Sequence, residues 1–155
     1  MSTALFPGTF RPFTIGHAAI ADRALTLFDR LVIAVGVNAE KENDDDDAAS
    51  RVAAIRGHYA GNDRVTVLAY RVLTADLVKE TGACCIVRGI RDEKDLLYEN
   101  EMTRANATLF GVETVYLLAD TRLRGVSSSL VRELQRYGKD VSELLPDASR
   151  KIREK

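Results

Sequence analysis

The stretch Thr3–Val37, "TALFPGTFRPFTIGHAAIADRALTLFDRLVIAVGV", decides how the rest of the chain is read. It opens on a short apolar run, Thr3–Phe6, and closes on a second one, Arg30–Val37. Between them lies "FPGTFRPFTIGH", Phe6–His17, which crowds two Gly, two Pro, two Thr and a His into one turn-rich segment. An amphipathic run follows. Ile15, Ala18, Ala19, Ala21, Ala24, Leu25 and Phe28 make a stripe wide enough to pack on a sheet, while Asp22 and Arg23 face water. The spacing predicts a helix over Ile15–Asp29. Thr14 stands where an N-cap hydroxyl can accept from a free amide of the first turn. The segment therefore reads as strand, loop, helix, strand.

The same alternation continues. Strands are expected at Arg64–Tyr70, Ala83–Gly89 and Val112–Ala119, and most of the five lack polar alternation, as parallel strands buried on both faces do. Helices are expected at about Ala48–Tyr59, then at Leu73–Thr81, Glu93–Phe110 and Ser128–Tyr137. A short helical piece, Val141–Leu145, and a charged tail, Ser149–Lys155, follow. The fold class is α/β, a doubly wound five-stranded parallel sheet in a single domain. In such folds ligands sit beyond the carboxyl ends of the strands, where strand order reverses. The loops to inspect are Pro7–Thr14, Asn38–Asp47, Arg71–Thr74, Arg88–Asp92 and Asp120–Ser127. The run Asp44–Asp47 is the one low-complexity patch, read as part of its loop.

Bulk properties narrow the class. The chain has 155 residues, 46% of them hydrophobic and 29% charged, enough for one domain with a real core. A formal net charge of −1 supplies no global field for nucleic acid or an anionic membrane. No apolar run reaches the roughly 20 residues of a membrane helix, and the N-terminus has no secretion-signal pattern. Cys84 and Cys85 are adjacent, so on a strand they point to opposite faces. They read as small residues in a reducing, cytoplasmic compartment.

Three segments carry residues suited to a phosphate ligand. In the first loop Gly8 lets backbone approach closely, helix amides beyond Thr14 favour an anion, and His17 can donate to a phosphate oxygen, more strongly if charged. In the second, Arg88 ends a strand and Gly89 and Arg91 follow, which makes two guanidiniums a phosphate clamp. Glu99 lies well inside the next helix. In the third, "RGVSSSLVREL", Ser127 caps a helix while Ser128 and Ser129 add hydroxyls beside free amides. Capping alone accounts for one serine. Lys41, in the loop after the second strand, has acidic neighbours that oppose a polyanion unless they point away or a divalent cation intervenes.

With "GTFRPFTIGH", "RGIRDEKDLLYE" and "VSSSLVRE" in this order, the chain resembles the phosphopantetheine adenylyltransferase family over about residues 3 to 146. The first motif indicates the wider nucleotidyltransferase superfamily, and the other two together indicate the adenylyltransferase. The resemblance implies a Rossmann-like fold, a homohexamer, and Mg²⁺-dependent transfer of AMP from ATP to 4′-phosphopantetheine, giving dephospho-coenzyme A and pyrophosphate. The metal is expected to have few or no direct protein ligands, and no nucleic-acid or membrane partner is expected. By motif position Thr9, Phe10, His17, Gly89, Ile90, Arg91, Glu99, Leu123, Arg124, Gly125, Val126, Ser127, Ser128 and Ser129 are ATP contacts, with His17 catalytic. Thr9, Lys41, Thr74 and Arg88 are contacts to the acceptor.

Two departures from the motif stand out. Its Asp before Pro is Arg11 here, and the loop after Lys41, which in the family carries a further basic residue and an aromatic or Pro, reads "KENDDDD". Restoring the acid by Arg11→Asp is expected to raise activity. Two other readings stay open at this stage. A cytidylyltransferase acting on a small phosphate ester would share the first motif, and a nucleotide-binding homologue with impaired or altered acceptor use would share all three.

Overall fold

In the computed structural model of the chain, which describes residues 1–38, 40–41 and 44–146, the opening run forms strand β1 (Thr3–Gly8) and the amphipathic run forms helix α1 (Ile15–Leu27). Alternation continues through β2 (Arg30–Gly36), α2 (Asp44–His58), β3 (Val65–Tyr70), α3 (Thr74–Thr81), β4 (Cys85–Ile90), α4 (Glu93–Phe110), β5 (Thr114–Leu118) and α5 (Ser128–Arg136). Short 3₁₀ turns occupy Thr121–Leu123 and Ser142–Leu144. The charged tail Ser149–Lys155 lies outside the described residues.

All four strand pairings are parallel, in the order β3-β2-β1-β4-β5. The chain winds outward from β1 to β3, then returns to place β4 on the other side of β1. The switch point thus falls between β1 and β4. Side chains alternate across the sheet with the two-residue period of a strand. Phe6, Leu31, Ile33, Val35 and Val87 pack with α1 and α2 on one face. Leu5, Val32, Ala34 and Ile86 pack with Ala75, Leu77 and Val78 of α3 on the other. Buried runs occur in the inner strands, while β3 and β5 are edges and only partly covered.

Two local features shape the sheet at the switch point. The β1–β2 ladder covers six residue pairs, from Thr3 to Gly8 on β1. The β1–β4 ladder covers only Ala4 and Leu5. Pro7 has no N–H to extend it, and its carbonyl instead accepts from the Arg88 guanidinium at 2.7 Å. Beyond Leu5 the two strands therefore diverge, and side chains rather than backbone fill the gap. On β4, Gly89 keeps the gap narrow on the α1 side. A Cβ there would lie 2.9 Å from Cγ1 of Ile20, so only glycine lets α1 seat this closely.

The expected helix at Ala48 begins four residues earlier. Asp44–Asp47, read as loop, form the first turn of α2. Four carboxylates at a helix N-terminus lie beside its positive dipole end and are favoured there. Arginine partners, described below, remove the mutual repulsion that makes such a run look like a solvated loop.

Candidate active site

The first loop is shaped by aromatic packing. Phe10 adopts φ 50°, the left-handed region, which costs a bulky residue about 1 kcal/mol or more. Its ring lies over Gly8, where a Cβ would meet ring carbons at 2.8 Å. It also sits edge-on to Phe6, Phe13 and His17, with centroids 5.3, 5.2 and 5.0 Å away. The contacts offset the strained backbone and hold the loop as one aromatic unit around the imidazole. The Arg11–Pro12 peptide is cis.

Helix α1 starts with a reciprocal cap. The His17 amide donates to Oγ1 of Thr14 at 3.4 Å, and the Thr14 amide donates to Nδ1 of His17 at 3.0 Å. Thr14 itself is buried. Because Nδ1 accepts, the ring proton sits on Nε2, the atom left for the cleft. Burial first, then the positive charges of Arg88 and Arg91, lowers the His17 pKa to about 4. A neutral donor thus replaces the charged one that sequence reasoning held to be the stronger.

His17 borders a cleft of about 290 Å³ at the carboxyl ends of β1 and β4. The three sequence-distant segments meet here. Thr9, Phe10, His17, Arg88, Gly89, Arg91, Glu99, Leu123, Val126, Ser127, Ser128 and Ser129 all line it. Two helices point their first turns at the same space. Ser127 caps α5 by accepting from the Leu130 amide at 3.1 Å, and Ser128 Oγ donates to the Pro12 carbonyl at 2.8 Å. The second bond ties α5 to the first loop and fixes the two N-termini relative to each other. Such paired N-termini suit an extended polyanion.

Both arginines of the expected clamp are held by carboxylates. Arg88 donates to Glu99 through Nε at 3.0 Å and through a second nitrogen at 2.5 Å, in addition to its bond to Pro7. Arg91 meets Asp95 at 3.0 and 3.3 Å. These forks fix each guanidinium plane and leave its remaining N–H groups for a ligand. Asp95 was not among the residues singled out from sequence; its spacing of four from Arg91 on the incoming helix was the available signal.

A second cleft, of about 560 Å³, lies across the same wall. Pro7, Gly8, Thr9, Arg88 and Glu99 face both. The second cleft adds Gly36, Tyr70, Thr74, Met102 and Asn106, and it runs into a third hollow of about 310 Å³ that shares those five residues. Thr74 is held there by a 3.0 Å bond between its hydroxyl and that of Tyr70. Sequence reasoning missed Tyr70, Met102 and Asn106, which carry no local motif and join only through tertiary packing. Of the other expected contacts, Ile90 is buried at the end of β4. Arg124 and Gly125 are exposed beside the cleft rather than lining it, and Lys41 is exposed and borders none of these three hollows. Among the described residues no cluster of three or more His, Cys, Asp or Glu side chains is placed to hold a metal ion.

Comparison with known proteins fits this geometry. The cytidylyltransferase-like family profile matches residues 5–134. The phosphopantetheine adenylyltransferase of Porphyromonas gingivalis is 47% identical over 144 residues, spanning 93% of this chain and 94% of that protein. The enzyme of the same name from Bacteroides thetaiotaomicron is 44% identical over 147 residues, 95% and 97% of the two chains. Among solved structures, a Vibrio parahaemolyticus protein assigned as a nicotinate-nucleotide adenylyltransferase superposes over all of both chains with TM-score 0.63 and 16% identity. A bifunctional NMN adenylyltransferase/ADP-ribose pyrophosphatase from Francisella tularensis superposes with TM-score 0.66 and 14% identity, over 94% of this chain and 44% of that one. The two structural likenesses establish a shared fold.

Proposed function

The chain belongs to the phosphopantetheine adenylyltransferase family, within the cytidylyltransferase-like proteins, and from that premise we propose how its two clefts carry out adenylyl transfer. ATP takes the first cleft and 4′-phosphopantetheine the second. The observation that carries the assignment is the shared wall, Pro7–Thr9 with Arg88 and Glu99. Across it an acceptor phosphate and an α-phosphorus can meet in line. The long, partly apolar groove past Tyr70, Thr74 and Met102 suits the extended arm of the acceptor, whereas the paired helix N-termini suit a triphosphate.

The acceptor phosphate is already a nucleophile at neutral pH, so positioning and charge stabilisation supply the catalysis. One of its oxygens bonds to the α-phosphorus. The bond from that phosphorus to the bridging oxygen breaks, and pyrophosphate leaves with the electron pair. His17 Nε2–H and the Thr9 hydroxyl donate to oxygens on which negative charge shifts during transfer. Arg88, held in place by Glu99, holds the acceptor phosphate. Arg91, held by Asp95, and the start of α5 (Ser127–Ser129) hold the β- and γ-phosphates. Asp95 and Glu99 are both engaged by arginines. With those carboxylates so paired, Mg²⁺ would arrive with ATP as part of the substrate and would supply charge neutralisation to its phosphates. Free Cys84 and Cys85 support a reducing, cytoplasmic setting.

Helix α4 supports assembly. Among its residues only Asn106 is buried, while Leu97, Tyr98, Met102 and Leu109 are each more than 60% exposed. An apolar helix face of this kind on a chain of this family is read as the contact between copies in a homohexamer.

Purified protein with ATP, Mg²⁺ and 4′-phosphopantetheine should release one pyrophosphate per dephospho-coenzyme A formed. Release with CTP instead of ATP would reassign the chain to cytidylyl transfer, and tight ATP binding without release would make it a binding protein. His17→Ala should lower turnover on the order of 10²-fold while ATP affinity changes far less.

A further inference from the structure

The two departures from the family motif, Arg11 and the acidic run after Lys41, come together in space. The Arg11 guanidinium is ion-paired with Asp44, and one of its nitrogens lies 3.5 Å from Asp47. Arg51, about two turns further along the same face of α2, donates to the same Asp44 oxygen at 3.0 Å and approaches Asp47 at 3.4 Å. The other oxygen of Asp44 accepts from the Asn38 amide in the loop after β2. The Asp44 side chain is 2% exposed and that of Arg51 8%. A carboxylate this buried, between two guanidiniums, persists only when its oxygens are fully engaged, and removing it would leave two like charges facing each other.

The cluster reaches the site through main chain. Arg51 donates to the carbonyl of Thr9, and to that of Gly36 at 3.3 Å. It thus clamps together the carboxyl ends of β1 and β2. Thr9 and Gly36 line the second cleft, and Thr9 the first as well. The Arg11 carbonyl accepts from Arg132 of α5 at 2.7 Å, which extends the same brace to the serine-rich helix.

We propose that Asp44 is a positioning residue for adenylyl transfer: from the first turn of α2 it supplies the carboxylate that the motif keeps at position 11, and it thereby holds Arg51, Thr9 and the first loop in the transfer geometry. The two departures are then one compensated exchange. The expectation that Arg11→Asp raises activity reverses, because the new carboxylate faces Asp44 at a site with one arginine left. The inference rests on the adenylyl-transfer reading, and the unsubstituted protein separates the two. If it makes no pyrophosphate, that reading fails; if it is active, the variants judge Asp44.

The test is a double-mutant cycle. Arg11→Asp, Asp44→Asn and the double variant are compared by kcat at saturating substrates, at a temperature where circular dichroism shows each folded, with melting temperatures recorded alongside. Asn at position 44 keeps an acceptor for the Asn38 amide, and in the double variant one carboxylate, now at position 11, faces Arg51. Each single substitution should lower kcat at least tenfold, and the double should recover at least threefold over the poorer single. Where a single variant does not fold, recovery is judged on both melting temperature and kcat of the double. A single variant that folds and loses less than tenfold, or a double that recovers less than threefold, overturns the proposal.

Discussion

At the scale of residues, His17 owes its chemistry to Thr14. Its hydroxyl caps the helix while its amide donates to Nδ1 and so fixes which ring nitrogen carries the proton; the donor aimed at the cleft is Nε2–H of a neutral ring. The pKa, lowered to about 4 from the usual 6.5 by burial and by Arg88 and Arg91, has a signed consequence. Between those two values an unfolded chain binds a proton at His17 that the native chain does not. This contribution to stability is therefore complete above pH 6.5 and declines as the pH falls toward 4. Titration of the His17 ring by nitrogen-edited NMR should show a midpoint below pH 5 with the Nε2–H tautomer above it. A midpoint near 6.5 would mean that burial and the two arginines do not depress the ring's affinity for a proton. The Thr14–His17 pairing was legible in sequence as a cap, since the hydroxyl precedes an amphipathic run. The neutral ring was not legible, because desolvation depends on Phe10, Phe13 and β4 closing around it.

At the scale of elements, Gly89 decides how close α1 comes to β4. Gly89→Ala should destabilise the protein by about 1–3 kcal/mol, as overpacking of a rigid contact does, read from urea unfolding. Ile20→Ala, which removes the opposing Cγ1, should make the double variant less destabilised than the sum of the two singles. Helix α2 teaches the opposite lesson about legibility. Asp44–Asp47 carry no apolar periodicity, so pattern reading stops at Ala48. Their place in the helix depends on Arg11, Arg51 and, for Asp45, Arg71, which comes from the far end of β3. Arg51 lies four residues from Asp47 on the same helix, but the neutralisation by Arg11 and Arg71, distant in sequence, is invisible to a local window.

At the scale of the whole molecule, the switch point sets where the clefts lie, and α4 leaves an apolar face exposed beside the second of them. Tyr98 and Met102 line the second cleft and lie on the same exposed helix as Leu97 and Leu109, so in the proposed homohexamer the second cleft would border the contact between copies. Light scattering should give a mass near six times the 17.1 kDa of the chain. Leu109→Glu, away from both clefts, should lower that mass while circular dichroism keeps its helical signal. A monomer for the unsubstituted protein would show that the exposed face has another use.

Sequence by itself determined the alternation of strands and helices, the doubly wound class and the three segments that meet at the first cleft. Each of these follows from periodicity, capping and turn chemistry within about twenty residues, which is the range over which side-chain spacing dictates local structure. Tertiary structure alone decided that β1 and β4 part after Leu5, that Arg88 and Arg91 are clasped by Glu99 and Asp95, and that Arg11 and Asp44 meet. Those outcomes depend on which charges and backbone groups end up desolvated beside one another. That is a property of the packed chain, which no short stretch of it specifies.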